Sequence, residues 1–311
     1  MGGRRFVTVG TVPIMILSAV LLTISLPAVA HAQGPSDSTV FQEMLSFGGD
    51  ELYTPVLSAG STASEVSGNI RPCVVRISCD GKRGSGVILD ITDEEVVILT
   101  CRHVVEAAAA GQDPMGTDVT RRTVPLSQSV GITFFTGHEL DAELISVSDE
   151  YDLAFLTVPV TELYPQELLR FRKVRLPEQY KEAVADGTAV FEAFLPVNKG
   201  DKLYMVVSRD TPLYEKWSMD SFIPDLSGGN ADVGNDLLTG SVISPLVEVK
   251  ALDRQMLYVD LDAEPGMSGG GVFSADGYLA GILMGGVEAG GAVAEPVSRV
   301  VGNAQSFIEN E

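Results

Sequence analysis

Three short segments of the chain carry side chains that can perform nucleophilic chemistry. His103 follows one apolar run, Asp152 precedes another, and Ser268 lies between glycines. A general base, a carboxylate that orients it and an activated serine hydroxyl are the parts of a Ser-His-Asp triad. Their occurrence in this order predicts acyl transfer through a covalent serine intermediate.

His103 is the candidate base because of its position after a strand. Residues 96–100 read Val-Val-Ile-Leu-Thr, which predicts a buried strand directly before it. His138 lies in Thr-Gly-His-Glu, which predicts an exposed turn and a solvated side chain. A histidine after a strand is, by itself, more often packed than catalytic, so the assignment depends on its partners.

Two aspartates compete for the role of orienting carboxylate. Asp149 lies in Ser-Asp-Glu, a predicted turn in which a carboxylate is solvated, whereas Asp152 begins a strand that enters the core. A buried carboxylate is costly unless a group donates to it, and an imidazole N–H is such a group. Asp152 is therefore the candidate, with turn capping as its alternative role.

The segment around Ser268 has glycines where a tight bend needs them. Gly266 and 269–271 allow a bend that presents the serine hydroxyl. The same bend can aim the amides of Gly266 and Ser268 at one point, as in an oxyanion hole. A glycine turn without chemistry is the alternative for this segment alone. His103 and Asp152 fall in one set of predicted strands and Ser268 in another, so we expect a cleft between two barrels.

Short apolar runs separated by turn residues dominate the chain from about residue 69. They predict antiparallel strands in a sandwich or barrel, with a helix only at 297–309. A charged, partly helical connector is expected at 161–186, and a long surface loop with the lone Trp217 at 208–236. The predicted strands are 74–77, 86–89, 96–100, 131–135, 142–147, 153–158, 189–194, 203–207, 241–243, 256–259, 271–273, 278–283 and 291–294.

These segments resemble the trypsin-like serine peptidases of the chymotrypsin fold, and most closely the Deg/HtrA-type branch. The resemblance covers roughly 69–309 and is interrupted by an unmatched loop at about 198–236. The segments that carry it are Gly-Ser-Gly-Val-Ile-Leu at 84–89, Leu-Thr-Cys-Arg-His-Val-Val at 99–105, Asp-Ala-Glu-Leu at 141–144, Asp-Leu-Ala at 152–154, Thr-Gly-Ser-Val-Ile-Ser at 239–244, Asp-Leu-Asp-Ala-Glu-Pro-Gly-Met-Ser-Gly-Gly at 260–270, Asp-Gly-Tyr-Leu-Ala-Gly-Ile at 276–282 and Ala-Val-Ala-Glu-Pro at 292–296.

The resemblance implies an all-β fold of two antiparallel six-stranded Greek-key barrels with a short C-terminal helix. The N-terminal barrel is expected over 69–175, and the C-terminal barrel with its closing helix over 176–311. Residues 33–68 are expected to be a linker or an N-terminal extension packed on the outside. The chain ends soon after the last predicted strand, so no PDZ module is expected.

The resemblance also assigns roles to the candidate residues. It implies Ser268 as nucleophile, His103 as general base and then acid, and Asp152 as the residue that orients His103. The amides of Gly266 and Ser268 would form the oxyanion hole. No metal ion and no organic cofactor are expected, and the activity implied is that of a serine endopeptidase.

Two residues beside the nucleophile depart from the family pattern. Met267 stands where Asn or Asp is usual, so a switch in which a new N-terminus pairs with an Asp there is not expected. Gly271 replaces a common proline, which loosens the turn after the nucleophile. These departures motivate an alternative function, a catalytically weak or inactive double barrel that binds peptides. An esterase with the same acyl chemistry is a third hypothesis.

The substrate pocket is expected from the resemblance alone. Small and aliphatic residues in 281–286 and 291–294 predict a preference for a small or aliphatic side chain. Asp262 falls where trypsin-type enzymes place a carboxylate on the pocket floor, which favours a basic side chain. The alternative role of Asp262 is an exposed loop acid. The pocket candidates are Asp262, Gly281, Ile282, Leu283, Met284 and Ala292.

Residues 1–32 have the features of an export signal. Arg4 and Arg5 precede a mostly apolar run, and Ala-His-Ala at 30–32 offers a small-x-small cleavage site. We therefore expect an exported protein, periplasmic or extracellular, without membrane contact once the signal is removed. An uncleaved membrane anchor is the alternative, because the run exceeds the ~18 apolar residues that can span a bilayer.

The acidic composition restricts the partners. A formal net charge of −21 disfavours nucleic acid and anionic lipid, and leaves polypeptides, unfolded or basic, as substrates. The short basic cluster of Arg170, Arg172, Lys173 and Arg175 is predicted to be a solvated linker. The sequence does not indicate an oligomeric state.

The three cysteines are predicted to be buried thiols. Cys73 and Cys79 lie about 20 Å apart on one predicted strand. Cys79 and Cys101 flank a central strand, which separates them by about 9.6 Å. A disulfide tolerates only about 4.4–6.8 Å between Cα atoms. The fold must therefore depend on its hydrophobic core.

Overall fold

Twelve strands in the described part of the chain close into two barrels. The computed structural model describes residues 45, 50–106, 130–148, 150–177, 197–207, 237–250 and 252–301. Contacts divide the chain into Met1–Gly34 and Pro35–Glu311, and every described residue belongs to the second unit. The strands are β1 (Val74–Cys79), β2 (Lys82–Ile91), β3 (Glu95–Thr100), β4 (Val130–Phe134), β5 (Glu139–Val147), β6 (Ala154–Pro159), β7 (Lys202–Val206), β8 (Leu237–Val249), β9 (Arg254–Val259), β10 (Gly271–Ser274), β11 (Leu279–Gly286) and β12 (Ala292–Pro296).

Both barrels follow the same path. The first has the order β1-β2-β3-β6-β5-β4 and the second β10-β11-β12-β9-β8-β7, and both are closed. Neighbouring strands are antiparallel throughout. The all-β fold of two antiparallel six-stranded barrels predicted from the sequence is confirmed.

The helices that the structure describes are short. They are α1 (Ala63–Ile70), α2 (Arg102–Val105), α3 (Pro165–Leu168) and α4 at 297–301, with 3-10 turns at Asp50–Leu52, Arg71–Cys73 and Val160–Glu162. A capping box begins α1, in which Thr62 and Glu65 each bond the other's backbone N–H. The short C-terminal helix predicted from the sequence is present as α4.

Sequence pattern and tertiary position agree in the first barrel. β3 carries five consecutive buried residues because β2 and β6 flank it and both of its faces are covered. The β1–β2 hairpin turns at Asp80 and Gly81, whose φ angles are 48° and 80°. Positive φ at both central residues is the requirement of a tight hairpin turn, and Asp-Gly satisfies it.

The barrels share buried apolar surface. Phe273, Leu279 and Ile282 of the second barrel belong to the same buried cluster as the core of the first. A separate cluster fills the second barrel and includes Leu257 and Leu283. The shared cluster fixes one barrel against the other and therefore determines which loops meet.

Part of the N-terminal extension packs on the outside of the first barrel. The amide of Thr54 donates to the Lys173 carbonyl at 2.9 Å, and Lys173 lies over the Tyr53 ring at 4.5 Å from its centroid. Lys173 also pairs with Asp90 at 3.1 Å, and Arg175 donates to the Thr54 carbonyl at 2.9 Å.

The prediction of a solvated basic cluster is therefore wrong at two positions. Lys173 and Arg175 are buried, with 3% and 5% of their surface exposed. Charged side chains are tolerated in such places when they have partners, and here the extension and Asp90 supply them.

The cysteine prediction agrees with the structure. Cys73, Cys79 and Cys101 are buried and form no disulfide. Within the described residues no helix is long and apolar enough to cross a membrane. The signal segment 1–32, the strand predicted at 189–194 and the loop at 208–236 lie outside the described residues.

The shared core gives a stability prediction. Phe273 is fully buried between the barrels. We expect Phe273→Ala to lower the free energy of unfolding by about 3–5 kcal/mol, because it removes apolar contact and leaves a cavity. Val56→Ala is the control, since Val56 is 55% exposed and should change stability by less than about 0.5 kcal/mol. Urea unfolding measures both variants, and equal effects would contradict the assignment of Phe273 to the core.

Candidate active site

His103 and Asp152 form a hydrogen-bonded pair in the first barrel. His103 Nδ1 lies 2.6 Å from Asp152 Oδ2, and the His103 backbone amide donates to Oδ1 at 2.9 Å. The amide of Arg102 reaches the Asp152 carbonyl at 3.3 Å. The first turn of α2 therefore receives Asp152, which stands just before β6, beside the end of β3.

The surroundings of His103 favour its protonated form. Burial opposes the charge on the imidazole, but the hydrogen bond and charge of Asp152 outweigh it, with help from Glu106. The result is a His103 pKa above the usual value. The short contact with a carboxylate makes Nδ1 the donor, which leaves Nε2 as the atom that can accept a proton.

Ser268 lies in a turn that glycine makes possible. Gly266 and Gly269 have φ angles of 95° and 88°, in a region that other residues rarely adopt. The amides of Met267 and Gly270 donate to the carbonyls of Glu264 and Met267, which closes two successive tight turns. The serine is thus presented on a backbone held by its own hydrogen bonds.

Ser85 of β2 connects the first barrel to this turn through two hydrogen bonds. The Ser85 amide donates to the Ser268 carbonyl, and its hydroxyl donates to the Gly266 carbonyl, both at 2.8 Å. Thr100, at the end of β3, donates to the Ser85 carbonyl at 2.7 Å. A Cβ at Gly269 would collide with the Ser85 carbonyl oxygen and the Thr100 hydroxyl. Glycine is therefore needed there for space as well as for backbone conformation.

The second barrel holds the other side of the turn. The Gly269 amide donates to the Leu283 carbonyl at 2.8 Å, and the Leu283 amide donates to the Gly270 carbonyl at 2.9 Å. The thiol of Cys101 donates to the same Leu283 carbonyl at 3.3 Å. Cys101 is two residues before His103, so these contacts bring the serine turn to the strand end that carries the histidine.

The Ser268 hydroxyl itself donates to the carbonyl of Met284 at 2.7 Å. Between the described side chains of Ser268 and His103 the structure records no hydrogen bond. His103 and Asp152 are thus joined directly, whereas Ser268 is brought to the same region with its hydroxyl turned to β11.

The amides of Gly266 and Ser268 differ from their neighbours in the turn. Within the described part of the chain, neither N–H donates to another residue, whereas the amides at 267, 269 and 270 all do. Two such donors beside a serine are what an oxyanion hole requires.

Met267 fills the position where the family usually has Asn or Asp. Its side chain is 3% exposed and belongs to the core of the second barrel. Its Sδ lies 3.3 Å from the amide of Glu264, which donates to it. Apolar burial therefore anchors this side of the turn without an ion pair.

The predicted pocket residues have different exposures. Ile282, Leu283 and Ala292 are fully buried in the cores, and a Cβ at Gly281 would collide with the Glu295 carbonyl. Met284 is half-buried, and Asp262 is exposed in the loop before the nucleophile. The pocket stays a prediction.

The environment of His138 differs from the one predicted from the sequence. Its Nδ1 lies 2.8 Å from Glu167, and its ring stacks on Tyr164 at 5.1 Å between centroids. Glu167 is 4% exposed and also accepts from Thr136 at 2.7 Å. The prediction of a solvated turn histidine is wrong, because α3 supplies a buried carboxylate that the local sequence around His138 does not contain.

A thiol, an imidazole and a carboxylate lie together at the site. The candidate ligand atoms of Cys101, His103 and Asp152 are all within 4.8 Å of one another. Burial raises the pKa of the Cys101 thiol well above its usual value, and the charges of Asp152 and Glu295 raise it further. A protonated, fully buried thiol is a poor metal ligand, and His103 and Asp152 already bond each other.

Sequence reasoning missed the residues that position the turn. Ser85 was visible only as part of a glycine-flanked segment, and nothing in its spacing indicated that its hydroxyl binds Gly266. The carbonyl of Met284 leaves no sequence signal at all, because any residue supplies a carbonyl. Glu295, a buried carboxylate that pairs with Arg254 and Arg299, was also missed.

The hydrogen bond from the Ser85 hydroxyl to the turn that carries Ser268 gives a second stability prediction. We expect Ser85→Ala to lower the free energy of unfolding by about 1–3 kcal/mol, because the Gly266 carbonyl loses a buried donor. Ser78→Ala is the matched control, since Ser78 is exposed and its hydroxyl reaches the Gly131 carbonyl only at 3.4 Å. Urea unfolding should show almost no change for the control. A similar loss in both variants would mean that the Ser85 hydroxyl does not hold the turn.

Solved structures of two bacterial proteases are similar to this chain. No curated protein matches the sequence. The serine endoprotease from Yersinia pestis is 17% identical, with a TM-score of 0.49 over 81% of this chain and 69% of that one. The Rv3671c protease from M. tuberculosis, in an inactive form, is 16% identical, with a TM-score of 0.49 over 82% of this chain and 98% of that one.

The family profile of the trypsin-like peptidase domain gives the assignment. It matches residues 84–282, which is more than half of the chain and runs from the segment of Ser85 to β11. The matched region contains His103, Asp152 and Ser268. This chain belongs to the trypsin-like peptidase domain family.

Proposed function

We propose that this protein is an exported serine endopeptidase that cleaves polypeptides through Ser268, His103 and Asp152. The observation that carries the proposal is the His103–Asp152 pair, 2.6 Å apart, at the strand end against which the Ser268 turn is held. Family membership supports peptide hydrolysis, and the chemistry of Ser268, His103 and Asp152 suggests which residue performs each step of the cleavage.

The first step needs a rotation of the Ser268 side chain. Its hydroxyl donates to the Met284 carbonyl, and attack requires it to turn toward Nε2 of His103. Rotation about the Cα–Cβ bond exchanges one hydrogen bond for another and leaves the backbone in place. His103 then accepts the proton as Ser268 Oγ bonds to the substrate carbonyl carbon.

The amides of Gly266 and Ser268 stabilise the oxyanion that forms. Each donor of this kind contributes about 10²–10³-fold to the rate, because it is already oriented before charge develops. Met267 supports them by anchoring the loop between them in the core of the second barrel.

His103 returns its proton to the leaving amine, and an acyl-enzyme remains on Ser268. Water then attacks the ester, with His103 again accepting a proton. Asp152 holds the ring through Nδ1 and the α2 backbone through the His103 amide, so the imidazole keeps one tautomer and one orientation.

Charge and the N-terminal segment suggest where the enzyme works and on what. A formal net charge of −21 attracts basic polypeptides, repels nucleic acid and leaves unfolded polypeptides as further substrates. The signal features of 1–32 favour a periplasmic or extracellular enzyme, or a membrane-anchored one if the segment is not removed.

One observation favours a second candidate, a double barrel that binds peptides with little or no turnover. A serine whose hydroxyl remains on the Met284 carbonyl is not activated by His103. If the rotation is unfavourable, peptides would bind beside the serine without being cleaved.

A fluorophosphonate probe separates the two candidates. We expect the probe to label the wild-type protein at Ser268, because the phosphonyl group reacts only with an activated serine. Ser268→Ala should abolish both labelling and the cleavage of unfolded casein. Wild-type protein that binds casein without labelling would establish the binding module. A Ser268→Ala variant that still cleaves casein would overturn the proposed nucleophile.

The pKa of His103 predicts the pH dependence. Neutral His103 is the active form, so kcat/KM should fall as the pH drops through a pKa above the ~6.5 of free imidazole. Asp152→Asn should move this acid limb to lower pH, because it removes the charge that favours imidazolium. It should also lower kcat by about 10⁴-fold, because the wrong tautomer is favoured.

Glu106→Gln is the matched control for the pH experiment. Glu106 also raises the His103 pKa, but through charge alone and without a hydrogen bond to the ring. Its removal should move the acid limb in the same direction by a smaller amount and leave kcat at high pH nearly unchanged. An acid limb that both variants leave in place would show that His103 is not the titrating base.

A further inference from the structure

Glu295 is a fully buried carboxylate held between two arginines. It lies on β12 with none of its side chain exposed. Arg254 Nη2 lies 2.9 Å from its Oε1, and Arg299 Nη1 lies 2.9 Å from its Oε2. A buried carboxylate needs such partners, because an uncompensated charge in the interior is strongly destabilising.

Arg254 extends beyond Glu295 to two groups beside the catalytic residues. Its Nη1 donates to the carbonyl of Glu150 at 2.9 Å, two residues before Asp152. Its Nη2 lies 3.7 Å from Sδ of Met284, the residue whose carbonyl accepts from Ser268. One side chain of the second barrel thus touches the turn that carries Asp152 and the residue that holds the nucleophile.

Arg299 completes the contact with the same turn. Its guanidinium lies 5.0 Å from the centroid of the Tyr151 ring, within the range of a cation–π interaction. Arg299 stands on α4, four residues after Glu295 of β12. Arg254 and Arg299 therefore contact Glu150 and Tyr151, the two residues before Asp152.

We infer that Glu295, Arg254 and Arg299 are positioning residues that set the Asp152 turn of the first barrel against Ser268 of the second. This inference rests on the proposed function, since it assigns a role at the same site. Glu295 orients the two arginines, and the arginines hold Glu150, Tyr151 and Met284.

The rival role is stability alone. A buried ion cluster can often be replaced by apolar residues of similar size without loss of stability, whereas removing one member is costly. A triple variant, Arg254→Met, Glu295→Leu and Arg299→Met, separates the two roles, because it restores packing without restoring the contacts to Glu150 and Tyr151.

We expect Arg254→Met to lower kcat about 10- to 100-fold with KM changed less than about 2-fold, because a small misplacement of catalytic groups has effects of this size. The triple variant should regain the free energy of unfolding but keep the low kcat. A triple variant that recovers both would overturn the inference.

A proton NMR measurement tests the inference without activity. The Nδ1 proton of His103, bonded to Asp152, should give a low-field resonance that shifts or broadens in Arg254→Met and in the triple variant. The His138–Glu167 pair supplies an internal control in the same spectrum, because its Nδ1 contact at 2.8 Å does not involve the cluster. An unchanged His103 resonance in both variants would overturn the inference. Wild-type protein that lacks turnover would refute the proposed function, and the resonance would still decide the inference.

Arg76→Met is the matched control for loss of a partly buried arginine. Arg76 pairs with Glu139 at 3.1 Å, and its side chain is 20% exposed, close to the value for Arg254. It should lower stability without changing kcat or the His103 resonance. If Arg76→Met lowers kcat as much as Arg254→Met, the effect of Arg254 is general destabilisation and the inference fails.

Discussion

The candidate active site depends on the hydrogen bonds between Ser85 and the turn that carries Ser268. The Ser85 amide and hydroxyl, both from the first barrel, bind the carbonyls of Ser268 and Gly266 in the second. Thr100, at the end of β3, donates a hydrogen bond to Ser85. The end of β3, which leads to His103, therefore belongs to the same hydrogen-bonded unit as the turn that carries Ser268. Each barrel carries only some of the residues of the proposed triad, and these bonds bring the two parts together.

In the turn that carries Ser268, the backbone conformation and the partner of the Ser268 hydroxyl are set by different contacts. Glycine conformation and buried hydrogen bonds fix the turn, and Met267 anchors it through apolar burial. The hydroxyl, by contrast, can change its partner through a single torsion. In the proposed mechanism the backbone stays in place, and reactivity depends on whether the hydroxyl takes Met284 or His103 as its acceptor.

Buried carboxylates connect the site to the rest of the molecule. Asp152, Glu167 and Glu295 each lie where an unpaired charge would be strongly destabilising, and each has a cationic or hydrogen-bonding partner. Two of the three lie beside the barrel boundary, where an arginine on one barrel reaches the backbone of the other. A protein without disulfides can fix its loops in this way, because directional polar contacts add to a core that is otherwise apolar.

The sequence patterns predicted an all-β fold and the candidate catalytic residues, and the resemblance to a known family implied the two six-stranded barrels. Period-two and continuous apolar runs indicate strands, and glycines around a serine indicate a bend. Only the tertiary structure decided that His138 meets Glu167, that Lys173 is buried, and that the hydroxyl of Ser268 rests on a carbonyl. These partners stand far apart in sequence and one of them is a backbone atom, so no local pattern of side chains records which groups the barrels bring together.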